Sequence, residues 1–386
     1  MKETTSSQLV SALSLMRHLS SLAIYESEFL LHEIPPLFDT ITALTSLKEL
    51  SLSIGGAHSI KLLQSSQSIL TGIFIGFPPN YSEDGFFDES VTPMSDWPQY
   101  HPVVVLARFR LTLQVLECDR WYTHPEITAE PQFVYPEMRS LHIYPYTPEW
   151  TRMATSPKPH YGVQHYKNVA ARTRSGCAWR ELEEFDGALV DLYTAGITCP
   201  INRVDLGALY TDHCYMLDPV LSHARPRQLI LCGWECVPGS PAAFVAFQGR
   251  GGSRLESLCV DLWALDEGQN AYVAETMENL MSSLAHTPLQ SLNIDIFMEG
   301  SDPQPEYSFS GLLRMLGEIS VDPEECPLLL TERSADELDL EGYVRRFAQL
   351  VPTLRRAKVR MNGHRGECRC AELEDGEVKL RGRPAA

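Results

Sequence analysis

One short pattern of apolar and polar positions recurs along the chain: apolar, two variable residues, apolar, one variable residue, apolar. It reads Leu19-Ser-Ser-Leu22-Ala-Ile24, Leu47-Lys-Glu-Leu50-Ser-Leu52 and Met138-Arg-Ser-Leu141-His-Ile143. Later copies are Ile201-Asn-Arg-Val204-Asp-Leu206, Leu255-Glu-Ser-Leu258-Cys-Val260 and Leu289-Gln-Ser-Leu292-Asn-Ile294. Weaker copies centre on Leu229 and Ala357, and degenerate ones on Ile73, Leu116 and Leu182. Most spacings between centres fall at or just above a period of about 20–29 residues. Alternation at the end of each string predicts a short strand with one buried face. A unit this small cannot bury that face alone, so neighbouring units must stack.

Between strings the period becomes helical. Val273, Met277, Leu280, Met281 and Leu284 share one helical face, and Pro288 closes the segment before the next string. A further helix is predicted from the capping-box spacing Ser334-Ala-Asp-Glu337 through Leu340, Tyr343, Val344 and Phe347. Leu9, Leu13 and Met16 predict a short N-terminal helix that caps the stack.

The recurring Leu-x-x-Leu-x-Leu strings resemble leucine-rich repeats, and their loose spacing is similar to that of F-box-associated repeat proteins of mushroom-type fungi. The resemblance covers roughly residues 9 to 370 and rests on recurrence rather than on any single string. It implies an α/β fold: one irregular, curved leucine-rich-repeat solenoid over residues 1–370, with parallel strands on the concave face and helices outside. It also implies a protein-binding role, since F-box members act as substrate receptors of SCF-type ubiquitin ligases. An SCF-type ligase is thus an implied partner wherever an F-box-like segment exists. Leu31 to Ile41 echoes the opening of an F-box, but Pro35 and Pro36 interrupt the helix that it requires. Regular repeats also carry Asn or Cys three residues after the last strand leucine. Here those positions hold Gly55, Tyr146, Leu209, Trp234, Trp263 and Phe297, which predicts packed rather than hydrogen-bonded turns.

Composition narrows the function. The 32 Lys+Arg against 50 Asp+Glu give a net charge of −18, which opposes general binding to a phosphate backbone. The basic stretch 151–180 (Arg152, Lys158, Lys167, Arg172, Arg174, Arg180) reads as a solvated loop, with nucleic-acid binding as its alternative. Further inserted loops are expected near 77–102 and 298–308, with a charged tail over 371–386. The N-terminus lacks a signal-peptide pattern, and no run reaches the roughly 18 apolar residues of a membrane span. Cys118, Cys199 and Cys259 lie in apolar stretches, as reduced thiols of a cytoplasmic or nuclear protein would.

Candidate chemistry is sparse. His364, Cys368 and Cys370 form the best metal candidate, yet a structural zinc needs four ligands and no second pair has finger-like spacing. Cys232-Gly-Trp-Glu-Cys236 spaces its thiols by three residues, not two. Gly249 to Ser253 lacks the Lys-Ser/Thr ending of a phosphate loop. No nucleophile elbow or triad order is present, so neither enzymatic activity nor a cofactor is expected; a metal-dependent or hydrolytic enzyme built on the loops is the competing reading.

The expected function is protein–protein interaction. Residues that alternate with the buried ones would line the concave face: His142 and Tyr144, Arg203 and Asp205, Cys259 and Asp261, Asn293 and Asp295. Asp205, Asp261 and Asp295 would form an acidic column, and Arg356, Lys358 and Arg360 a basic end.

Overall fold

The computed structural model describes residues 3–76, 102–119, 135–144, 160–175, 179–207, 209, 211–235, 241–264, 273–298, 338–364, 367–374 and 376–381. The chain is α/β and forms two compact units, Met1–Cys199 and Pro200–Ala386. The first holds a parallel open sheet in chain order: β1 (Ser21–Ile24), β2 (Glu49–Leu52), β3 (Gly72–Ile75), β4 (Val115–Asp119), β5 (Ser140–Tyr144) and β6 (Leu182–Gly187). The second holds parallel strands in chain order as well: β7 (Ile201–Leu206), β8 (Gln228–Glu235), β9 (Ser257–Ala264), β10 (Ser291–Met298) and β11 (Arg356–His364). It closes with two antiparallel strands, β12 (Glu367–Glu374) and β13 (Glu377–Arg381).

Strand register follows the strings. Leu22, Leu50, Ile73, Leu116 and Leu141 are successive partners in the first sheet. Val204, Leu229, Leu258, Leu292 and Ala357 are successive partners in the second. The apolar residue three places earlier is buried as well: Leu47, Leu70, Leu113, Leu255 and Leu289 are within 1% of full burial. Each such side chain removed from water contributes roughly 1.5–3 kcal/mol, so the strings hold the stack together. The degenerate copy at 182 is displaced by three. Leu141 pairs with Phe185, and Leu182 takes the earlier buried position. Gly187 occupies the last apolar place of that string, where a Cβ would lie 2.8 Å from the Ile143 carbonyl oxygen.

At the strand entrances one carbonyl serves two amides of the next repeat. Lys48 O accepts from Thr71 and Gly72 at 2.8 and 3.0 Å, and Gln114 O accepts from Arg139 and Ser140 at the same distances. In the second unit Glu256 O accepts from Gln290 and Ser291, and Gln290 O from Arg355 and Arg356. Hydroxyls reinforce this column. Ser46 Oγ donates to Leu19 O, Thr112 Oγ1 to Leu70 O and Thr353 Oγ1 to Leu289 O, each at 2.8 Å.

The turns after β1 and β2 are also hydrogen-bonded, where packing alone was expected. Ser27 Oγ donates to Ser53 O at 3.0 Å and lies 2.9 Å from Ser59 Oγ. Beside it, the Glu28 carboxylate accepts from the amides of His58 and Ser59 at the start of the helix Ala57–Ser65, and from His58 Nδ1 at 2.8 Å. It meets the positive end of that helix and serves as its cap from a neighbouring repeat. At Gly56 a Cβ would lie 2.6 Å from the Glu28 carboxyl carbon, so a larger residue there would push the carboxylate out of its capping position.

Helices connect the strands: α1 (Glu3–Leu15), α2 (Ser27–Glu33), α3 (Pro35–Thr42), α4 (Ala57–Ser65) and α5 (Pro102–Val105), then α6 (His160–Ser175) and α7 (Leu189–Ala195). The second unit adds α8 (Leu217–Ala224), α9 (Pro241–Gln248), α10 (Val273–Leu284) and α11 (Leu340–Leu350). Pro35 starts α3 at its first turn, where the missing N–H costs nothing. Leu31, Ile34, Leu37 and Ile41 are all buried in the repeat core. The N-terminal helix forms, yet Leu13 alone of its three predicted contacts is buried; Leu9 and Met16 are 39% and 46% exposed.

Three further expectations change. The stretch read as a solvated loop holds α6, because His165 Nδ1 and Asn168 Nδ2 donate to the last carbonyls of α7, Tyr193 O and Thr194 O, at 2.7 and 2.6 Å. The segment read as a tail from 371 instead completes β12 and supplies β13. The last helix starts at Leu340, where Asp339 accepts from Gly342 N at 2.9 Å. Ser334 and Glu337 lie outside the described residues, as do residues 77–101 and 299–308 of the loops expected over 77–102 and 298–308, whereas Pro102 begins a helix and Met298 ends β10. None of the helices among the described residues is long and apolar enough to cross a membrane.

The Glu28 cap predicts a pH dependence. Burial pushes its carboxyl upward, but the bonds from His58 and Ser59 outweigh this and hold it below the ordinary value of 4.5. The stability it contributes is present above that value and is lost as pH falls through the lower folded-state value. Glu28→Gln should therefore melt earlier than wild type near neutral pH, with the gap closing in acid. Thermal melts across pH check this, and a gap that stays constant contradicts it.

Candidate functional site

Strand alternation leaves one face of each sheet polar, and the register fixes which side chains are neighbours. In the first unit Glu117, His142 and Asp186 stand side by side on β4, β5 and β6. His142 Nδ1 lies 3.6 Å from Asp186 Oδ2. Tyr144 is the next outward residue on β5; burial, then the Glu117 and Asp186 charges and a hydrogen bond to Glu117, push its hydroxyl up to about 12. Glu117 and Asp186 do not emerge from the sequence reading. The Leu116 string is degenerate, and the three-residue displacement at Leu182 puts the wrong residues outward.

In the second unit the outward positions form two rows. One runs Asp205, Ile230, Cys259, Asn293 and Lys358. The other joins Asp261, Asp295 and Arg360, with Cys232 beside Asp261 after a register shift in β8.

The structure brings the predicted residues together but redistributes their charge. Asp295 is only 6% exposed and is bonded by Arg360 Nε. Its other oxygen accepts from Asn293 Nδ2 at 2.9 Å, and Asn293 also donates to Cys259 Sγ at 3.4 Å. Asn362 adds a longer bond at 3.4 Å. Asp205 lies 3.6 Å from Arg203 Nη2. Two of the three acids expected as an open column are thus paired with cations.

The basic end is likewise mostly neutralised. Antiparallel β12 returns Glu372 opposite Lys358, 3.0 Å from its Nζ, and Arg381 of β13 bonds the same carboxylate at 3.0 Å. Arg356, at the strand entrance, stays exposed. Strand β12 is hidden in the sequence because its alternation, Cys370, Ala371, Glu372, Leu373, lacks a repeat string.

Asp261 differs from its neighbours. It is half-buried beside Asp295, and burial followed by the Asp295 charge raises its carboxyl, partly offset by a hydrogen bond from Cys232. In turn, burial and the Asp261 and Asp205 charges push the Cys232 thiol up to about 12, so at neutral pH it is a hydrogen-bond donor and not a nucleophile.

Of the metal candidate, Cys368 and Cys370 stand on one strand, opposite Asn362 and Arg360. Their thiols donate to Asn362 Oδ1 and Glu372 Oε1, each at 3.7 Å. Among the described residues no three His, Cys, Asp or Glu side chains are grouped to hold a metal ion. Cys236 lies outside the described residues.

The Asp295–Arg360 pair predicts a non-additive pair of variants. Arg360→Ala leaves a buried carboxylate without its cation and should cost about 2–3 kcal/mol, less than a fully buried pair because the guanidinium is partly solvated. Adding Asp295→Asn removes the stranded charge and should recover part of that loss. Urea unfolding midpoints at pH 7 check this; a double variant less stable than Arg360→Ala contradicts it. Compared with family models and with curated proteins, the chain finds no match in either.

Proposed function

We propose that this protein is a non-enzymatic protein–protein interaction scaffold built on an irregular leucine-rich-repeat solenoid, with the polar sheet face as its partner-binding surface. Its closest functional model is the substrate-recognition part of F-box/leucine-rich-repeat ubiquitin-ligase receptors, which makes an SCF-type ligase the assembly it would serve.

One observation carries the reading. In each unit the Leu-x-x-Leu-x-Leu centres lie in register, so their outward neighbours form one ordered face that carries most of the sheet's polar side chains. That face is rich in hydrogen-bonding groups held in place by neighbours, such as Asn293, Asp205 and His142. Fixed polar groups of this kind set orientation and association rate when a complementary protein docks. The proximity of Cys232 to Asp261 does not favour nucleophilic chemistry, because burial and then the carboxylate raise the thiol.

The test is affinity capture with quantitative mass spectrometry. Wild-type protein should enrich a reproducible partner set, with SCF subunits among them if the ligase reading holds. Asp261→Lys should lose that set, whereas Glu275→Lys, on the exposed face of α10, should retain it. An identical catch from both variants would sink the proposal.

A further inference from the structure

We infer that the polar face of the second unit receives an arginine side chain from an extended protein segment, set against Asp261. This inference rests on the scaffold reading above and specifies the chemistry of the partner.

The charge pattern selects the position. Of the three acids on this face, Asp205 is matched by Arg203 and Asp295 by Arg360. Asp261 faces a thiol on one side and the second carboxylate on the other. Among the described residues no lysine or arginine forms an ion pair with it; Arg360, which acts on it only at a distance, is already bonded to Asp295. Burial and then the Asp295 charge raise its carboxyl, and a cation bound against it would oppose that shift.

The surroundings select the kind of cation. Ile296 is fully buried, so alternation puts Phe297 at the next outward position beyond Asp295, the register partner of Asp261. A carboxylate near an aromatic position suits a planar, weakly hydrated guanidinium better than a compact ammonium. A guanidinium can also donate two bonds to one carboxylate in a fixed geometry. Toward the strand entrances the outward positions are the small Ser257 and Ser291, which leave room for a main chain to lie against the sheet.

The experiment uses the full chain and three synthetic peptides, acetyl-Gly-Ser-Xaa-Ser-Gly-amide with arginine, lysine or norleucine at Xaa, titrated by calorimetry at low salt. The arginine peptide should bind best, the lysine peptide more weakly and the norleucine peptide least. Asp261→Asn should weaken the arginine peptide roughly 10-fold, the loss of about one charged hydrogen bond. Asp218→Asn, on α8, should leave binding unchanged, and circular dichroism should show both variants folded. Arginine binding no tighter than norleucine, or insensitive to Asp261→Asn, would overturn the inference. The two readings fail separately: capture that survives Asp261→Lys removes the scaffold, whereas equal binding of the three peptides removes only the arginine.

Discussion

In-register stacking of short, one-sided strands is the constraint on which the rest of this molecule depends. A strand of four residues such as Ser21–Ile24 or Glu49–Leu52 cannot bury its apolar side by itself. It is held by a neighbour that presents the same side chains at the same height, Leu22 against Leu50 against Ile73. Because side chains alternate with a period of two, a slip of one residue would turn every leucine outward. Shared carbonyls at the strand entrances resist that slip, since each of Lys48 O and Glu256 O engages two consecutive amides of the next repeat. The hydroxyls of Ser46, Thr112 and Thr353 repeat the same stitch with side chains.

Once the apolar side is fixed inward, the opposite side is fixed too, and it is there that charge must be arranged. Asp295 is tolerated at 6% exposure because Arg360, Asn293 and Asn362 satisfy it. The terminal antiparallel strands extend this accounting: Glu372 gathers Lys358 and Arg381 and so closes the end of the sheet with matched charges. Edge strands in natural sheets commonly carry charge of this sort, which discourages further strand pairing. Among the described residues, the acid of this face without a cation partner is Asp261, held between a thiol and a second acid.

Much of this was legible in the sequence, and the misses have physical causes. Clear strings such as Leu289 to Ile294 gave both the buried residues and the outward ones, because alternation determines the two together. Around Leu182 the string is displaced by three and disguised, since Gly187 stands at its last apolar place; close approach to the Ile143 carbonyl demands it. The helix over 160–175 was hidden by basic residues that look like a solvated loop, while the groups that dock it, His165 and Asn168, are polar. Charge pairing between distant segments, such as Arg360 with Asp295 or Glu372 with Lys358, depends on register and strand direction. Neither is written in any one string.

Carboxylate footprinting tests the central claim most directly. The protein is labelled with a carbodiimide and an amine, alone and with its captured partner bound, and modification is read residue by residue. The account predicts that labelling of Asp205 and Asp261 falls when the partner is present, while Asp218 and Glu275 on the helices keep theirs. Protection confined to the helix carboxylates, with the sheet face labelled as before, would contradict it.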